Sequence, residues 1–394
     1  MKVALIGNMN NNAHNLAYYL LDAGVDCDVL FFNNEASHFT PAAETSELPR
    51  YTSVQLDWGG YADYFTTPAR KIARDLEPYD FLIGSRLSPA YCRKAGRDLD
   101  IFMPTGGDLH TVPVWNGWAP RDLAKYLLMA RRQRNAIREV EAFYWDDTSP
   151  ELDETIAPFT SHLPRLKYAI PMLYHPDYQG EALARRRDRS EWLDRFREAR
   201  QGADIVLFSH VKHVWTEAGI ASYGGRWHEK GNDQIVRALH RYVQGDPERS
   251  IRIFMFEYGS DHQATRDLAR ELGVDEHISW FPMLPRSEIM MGIGESDGVI
   301  GEIARSWLSY GTIIEAKVMS KAVIHHCNPD FYPGADLYPM LNVQDADSLL
   351  DAFQRIASGD VDLEVMGREG HDWLVARSVE PAIEAIVSRI AAKA

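Results

Sequence analysis

The sequence predicts an α/β protein made of two Rossmann-like halves, and three observations carry that expectation. A short apolar strand, Lys2 to Gly7, leads through an Asn-rich loop into an amphipathic helix ending near Leu21, and Cys27 to Phe32 forms a second strand. This β–loop–α–β opening marks a doubly wound sheet. A second series of the same kind begins at Asp204, after a linker-like PMLYHPDYQG at 171–180 that is rich in proline and turn residues. The expected division is residues 1–178, residues 179–375, and a terminal helix over 376–394 that could cross back to the first domain.

The chain has 394 residues, enough for two ordinary domains, with 45% hydrophobic and 25% charged residues. Its formal net charge of −15 disfavours a broad nucleic-acid surface. Three well-separated cysteines, Cys27, Cys92 and Cys327, form neither a disulfide framework nor a zinc motif. The start, MKVALIG, is too short for a signal peptide, and no apolar run reaches the ~18 residues of a membrane span. The expectation is a cytoplasmic protein, with peripheral contact at the inner membrane left open.

In the first half, the loop after the first strand, Gly7-Asn8-Met9-Asn10-Asn11-Asn12, lacks GxGxxG and so disfavours a classical dinucleotide site. It is either a crevice-facing polar turn or a plain Asn-rich one. Residues 35–66 read as irregular and aromatic, a lid or a loop packed on its own domain. Tyr79 to Gly84 is a buried strand, and Ile101 to Met103 another. The latter ends in Gly106-Gly107-Asp108, where open α/β sheets bind ligands. The glycines permit close backbone approach, so Asp108 or His110 could face a substrate hydroxyl; equally, Asp108 could cap a following helix. Residues 121–144 read as one basic helix with a solvated face, and 166–170 as a strand.

In the second half, Leu183 to Arg200 reads as one charged helix. Strands follow at Asp204–Phe208, Ile251–Phe256, Ile278–Phe281, Gly298–Ile300 and Ala322–His326, with helices at Gln234–Val243, Ala264–Glu271, Glu288–Ile293, Thr312–Ser320 and Pro381–Lys393. Ser209, Lys212 and Lys230 fall near strand ends. Two lysines converging there make an anion site suited to a diphosphate. The Tyr310-Gly311 turn opens a helix whose first N–H groups can receive a phosphate, and Glu315 inside it can hold a ribose. Metal-ligand spacing is absent, so lysines would stabilise a departing diphosphate.

These segments resemble the retaining GT-B glycosyltransferases of family 4. FSHVKHVW at 208–215 with KGND at 230–233 is similar to the family's diphosphate-binding pattern, Lys212 standing at its Arg and Lys230 at its Lys. VDEHISWFPMLPRSEI at 274–289 resembles the strand–turn whose backbone receives the base. SYGTIIEAKVMSKAVI at 309–324 resembles the block whose Glu, here Glu315, binds ribose, and IPMLYHPDY at 170–178 resembles the interdomain hinge. The first half matches in layout only. Two departures stand out. The family's first Glu falls at Trp307, with Glu302 too far back to align without a shift, and the 211–229 stretch between the lysines is longer than usual.

The resemblance implies two facing Rossmann-like domains with an interdomain cleft, and sugar transfer from a nucleotide-diphosphate sugar to a hydroxyl with retention. The sugar nucleotide is a co-substrate; no cofactor and no metal are expected. Catalysis would rest on Lys212, Lys230 and Asp108. The donor side would comprise Ser209, Glu257, Pro282, Tyr310, Gly311, Thr312 and Glu315. Gly7, Asn8, Asn11, Gly106, Gly107 and His110 would line the acceptor side. The acceptor is a saccharide, lipid-linked glycan or small molecule, not a nucleic acid. A nucleotide-sugar epimerase of similar fold and a non-catalytic sugar-nucleotide-binding subunit are the alternatives.

Overall fold

The computed structural model describes residues 1–36, 40–45, 47–114, 123–145, 150–167, 171–223, 226–245, 247–332 and 336–394. The chain divides into two compact units, Met1–Tyr174 with Ala376–Ala394, and His175–Val375. Parts of the stretches expected as a strand over 166–170, as a hinge over 170–178 and as an extended insertion over 211–229 lie outside the described residues.

The first unit holds β1 (Val3–Ile6), β2 (Cys27–Phe31), β3 (Thr52–Gln55), β4 (Phe81–Gly84), β5 (Ile101–Phe102), β6 (Ala142–Tyr144) and β7 (Arg165–Leu166). They form one sheet in the order β3-β2-β1-β4-β5-β6-β7, every pair parallel. β1, β2 and β4 are buried throughout, as a sheet covered on both faces requires. The second unit holds β8 (Ile205–Ser209), β9 (Ile251–Phe256), β10 (Ile278–Phe281), β11 (Gly298–Ile300), β12 (Ala322–His325) and β13 (Leu341–Asn342). These also form a parallel sheet, in the order β10-β9-β8-β11-β12-β13.

Both orders reverse direction at one place, between β1 and β4 and between β8 and β11. At such a switch point successive crossovers leave on opposite faces, and a crevice opens beyond the carboxyl ends of the two strands. The loops after β1, β4, β8 and β11 are therefore where a ligand site is expected.

Several elements differ from the sequence reading. The basic segment is a helix only over Leu123–Ile137; Ala142–Tyr144 continues as β6, paired to β5 and β7 and fully buried. The arginine-rich helix splits into Gly180–Arg189 and Leu193–Arg200. Extended Ser190 breaks it, and its hydroxyl accepts the Leu193 N–H at 3.0 Å. The aromatic stretch after residue 35 contains β3 and packs on its own unit. Trp58 is buried, stacked on Tyr91 at 4.7 Å, with its indole N–H given to Asp75.

The chain ends in a helix Leu363–Leu374, a π turn Val375–Val379 and a helix Glu380–Lys393. The last helix belongs to the first unit. There the Tyr144 hydroxyl donates to Ala382 O at 3.1 Å, and Lys393 pairs with buried Asp100. Among the described residues no helix is long and apolar enough to cross a membrane.

Candidate functional site

The strongest site lies at the switch point of the second unit. A cavity of about 330 Å³ is lined by His210, Val211 and Lys212 after β8, by His228 and Lys230, by Tyr258 after β9, by Glu302 after β11, and by Tyr310, Gly311, Thr312 and Glu315. Lys212, Lys230, Tyr310, Gly311, Thr312 and Glu315 were singled out from sequence and come together here. Ser209 sits at the end of β8, buried, its hydroxyl without a partner. Glu257 and Pro282 do not line the cavity. Glu257 pairs with Arg266 at 2.9 Å, and Pro282 follows β10 at an exposed position.

The lysines are fixed from their backbones outward. Lys230 N–H donates to Val214 O, and its carbonyl accepts from Ile303 and Ala304. Gly231 then takes a left-handed conformation, φ +77°, with Ala304 N 3.1 Å from where a Cβ would sit, and the helix Asn232–Gln244 begins. Lys212 rides on a turn held by His213. The buried His213 Nδ1 lies 2.9 Å from Thr265 Oγ1, and burial pulls its pKa down to about 4. Gly259, φ +106°, backs this turn; a Cβ there would lie 2.5 Å from His213 N and O.

The Lys212 ammonium stands 3.9 Å from the centre of the Tyr223 ring. Burial and the Lys230 charge lower its pKa, partly offset by Glu302. His228 is lowered as well, by burial and then by both lysines. Burial is the main cause in both cases, so an anion entering beside Lys212 and His228 would favour their protonated forms.

The helix Gly311–Val318 points its N-terminus at the cavity. Its first hydrogen bonds are Ile313 and Ile314 N–H to Tyr310 O. Helix geometry thus leaves the Gly311 and Thr312 N–H groups without an intrahelical acceptor. Glu315, one turn in, is buried. Its Oε2 lies 2.7 Å from His210 Nε2 and its Oε1 3.0 Å from Arg286 Nε. Burial pushes its carboxyl up, but His210 and Arg286 outweigh burial and hold it at about 2. Since a carboxylate only accepts, His210 Nε2 carries the proton, and its buried, unpartnered Nδ1 is an acceptor when the ring is neutral.

Glu302, which the sequence leaves out of register with the family's first Glu, lines the cavity, as do His210, His228 and Tyr258, which no motif marks. Glu302 Oε1 accepts from Lys230 Nζ at 2.6 Å and its Oε2 from the Trp307 indole N–H at 2.8 Å. Its own N–H donates to the Tyr310 hydroxyl at 2.6 Å, and its carbonyl accepts from His326. The Trp307 departure is thereby explained. The loop from Glu302 to Tyr310 folds so that the carboxylate enters the cavity from Glu302, and the indole braces it.

In the first unit the singled-out residues lie at the corresponding strand ends. Gly7, φ +82°, leaves room for Phe32 and Ser85, each 2.8 Å from where its Cβ would sit. Asn8 is buried and donates to Asn11 Oδ1 at 2.7 Å, accepts from His14 N–H and gives its own N–H to Glu35. These bonds brace the loop after β1. Asp108 lies in the short helix after Gly106, φ +115°, and Gly107. It accepts from Arg86 N–H and Thr105 N–H, both at 2.8 Å, with burial raising its carboxyl to about 6. His110 sits at the end of the same turn, its Nδ1 3.3 Å from Thr111 Oγ1. Arg86, missed from sequence, joins the two loops. It has a left-handed backbone, φ +56°, and its guanidinium meets Glu35 at 3.4 Å. Among the described residues no group of three or more His, Cys, Asp or Glu is disposed to hold a metal ion.

No protein-family model matches the chain, and no curated protein matches it in sequence. Solved structures do match it in shape. A glycosyltransferase from Rickettsia africae superposes with a TM-score of 0.63 at 12% identity, covering 98% of this chain and 97% of that one. Anabaena HepE in complex with UDP-glucose superposes at 0.60 and 10% identity over 100% of both chains. The fold is that of the GT-B glycosyltransferases. A UDP-GlcNAc 2-epimerase from Neisseria meningitidis bound to UDP-GlcNAc shares it at 0.53 and 12% identity over 99% of both chains, so the fold alone does not select the reaction.

Proposed function

We infer that the protein is a retaining glycosyltransferase that moves a sugar from a nucleotide-diphosphate sugar to a hydroxyl acceptor. The observation that carries this reading is the cavity of the second unit. Two lysines, a helix N-terminus and two carboxylates converge there at the β8–β11 switch point. Lys212, Lys230 and the Gly311 and Thr312 N–H groups suit a diphosphate, and Glu315 suits a ribose diol through the acceptor capacity its two partners leave unused. In transfer, the diphosphate gains charge as the glycosidic bond breaks. Cations already in place stabilise that charge without reorganisation. Retention follows if the acceptor hydroxyl attacks from the leaving-group side and gives its proton to the departing phosphate, which needs no enzyme nucleophile. Asp108 acts in this scheme by fixing the Arg86 and Thr105 backbones on the acceptor side.

The neighbour solved with UDP-glucose makes that compound the first donor to try. Incubating the protein with UDP-glucose and an acceptor panel, with product stereochemistry read by NMR, tests the reading. Transfer with an axial product is expected, abolished in Lys230→Ala. The epimerase neighbour motivates one competing outcome: a sugar epimerised without any acceptor, which would replace this reading.

A further inference from the structure

Lys230, which the glycosyl-transfer reading assigns to the donor diphosphate, already has an anionic partner of its own. The Glu302 carboxylate sits 2.6 Å from its ammonium, and both side chains are largely buried. Carboxylate and phosphate oxygens offer an ammonium the same acceptor, and two anions at one buried cation repel each other. The backbone of Glu302 is held through Tyr310 and His326, so the residue can yield only by turning its side chain. Its second oxygen is held by a neutral donor, the Trp307 indole N–H. That bond does not depend on Lys230.

We propose that Glu302 is an internal counter-anion of Lys230 which the donor diphosphate displaces, and that Trp307 is the positioning residue holding the displaced carboxylate in the cavity. Binding is then an exchange at one ammonium. A polyanion that also engages Lys212 and the helix N-terminus drives the exchange, whereas a single weak anion does not. Trp307 lowers the cost of the displaced state, because a carboxylate that leaves Lys230 keeps one hydrogen bond.

The test uses inorganic pyrophosphate, which carries no base or sugar, titrated calorimetrically into the full chain. Glu302→Gln removes the competing charge and keeps the shape, so it tightens pyrophosphate binding roughly tenfold. Glu229→Gln removes a charge next to Lys230 in sequence that pairs with Arg226 and Arg305 instead, and changes binding by less than about twofold. Trp307→Phe weakens binding in the wild-type background but not in Glu302→Gln, and Trp307→His, which restores a ring N–H, recovers it. An unchanged or weaker affinity in Glu302→Gln overturns the exchange. An equal loss from Trp307→Phe in both backgrounds overturns the positioning role. The inference rests on the proposed function, and the two fail differently. If Lys230→Met binds pyrophosphate as wild type does, the diphosphate site itself is wrong; if Lys230→Met loses binding while Glu302→Gln gains none, only the exchange is wrong.

Discussion

Glu315 offers the most quantitative test of the site. Its carboxylate is buried between His210 and Arg286, which hold its pKa at about 2 against an ordinary 4.5. That difference corresponds to about 3 kcal/mol of folding stability. The sign follows from the depressed value: the contribution is complete above about pH 5 and is lost as pH falls through 4.5 towards 2. Glu315→Gln keeps the volume and one acceptor but turns an amide NH2 towards a cationic or N–H donor. Breaking a buried pair from one side costs about 3–5 kcal/mol by general experience, in agreement with the pKa argument. For the 175–375 unit, where 1 kcal/mol moves the melting temperature by about 2–4 °C, the variant is expected to melt roughly 6–12 °C lower at pH 7.5. Differential scanning calorimetry reads the shift. The gap to wild type should narrow below pH 4.5. A loss of under about 2 °C, or one that stays constant down to pH 3.5, refutes the ion-pair account of the residue.

Three further outcomes follow from the same packing. Gly259→Ala places a Cβ against His213 N and O at a strained φ, so the Lys212 turn must shift; nucleotide affinity by calorimetry should fall at least about tenfold with a modest melting loss. Lys317 is buried against the Tyr338 and Trp373 rings, and burial lowers its pKa to about 7. Lys317→Met should therefore raise the melting temperature, more at pH 6 than at pH 9.5, because the folded state resists protonation that the unfolded chain accepts. Asp108 is shifted the other way, up to about 6, so acidifying from pH 7 to pH 5 should stabilise the first unit, and Asp108→Asn should remove that gain in pH-dependent calorimetry.

The sequence shows most of this fold because parallel strands covered on both faces are short continuous apolar runs. β1, β4, β8 and β11 are of that kind. The strands that escaped notice lack the signal. β3 is mostly exposed, and β13 has two residues, one of them exposed. β6 is three buried residues shortly after a basic helix, too short a run to stand apart from it. The cavity was legible as far as motif spacing reaches, to Lys212, Lys230 and the start of the Gly311 helix. Its electrostatics were not. The partners of Glu315 lie 105 and 29 residues away, at His210 and Arg286. Fixed spacing points to Trp307, and only the folded loop shows its indole bracing the Glu302 carboxylate. In the first unit, sequence marked the right loops but not Arg86, whose left-handed backbone has no counterpart in composition or periodicity.

The central claim is that the second unit binds a nucleoside diphosphate at the β8–β11 switch point. A crystal structure of the protein with UDP tests it most directly. The account predicts diphosphate oxygens within hydrogen-bond reach of Lys212 Nζ, Lys230 Nζ and the Gly311 and Thr312 N–H groups, ribose hydroxyls at Glu315, and Glu302 turned away from Lys230. A nucleotide bound elsewhere, or bound with the Lys230–Glu302 pair intact and the helix N-terminus untouched, would contradict it.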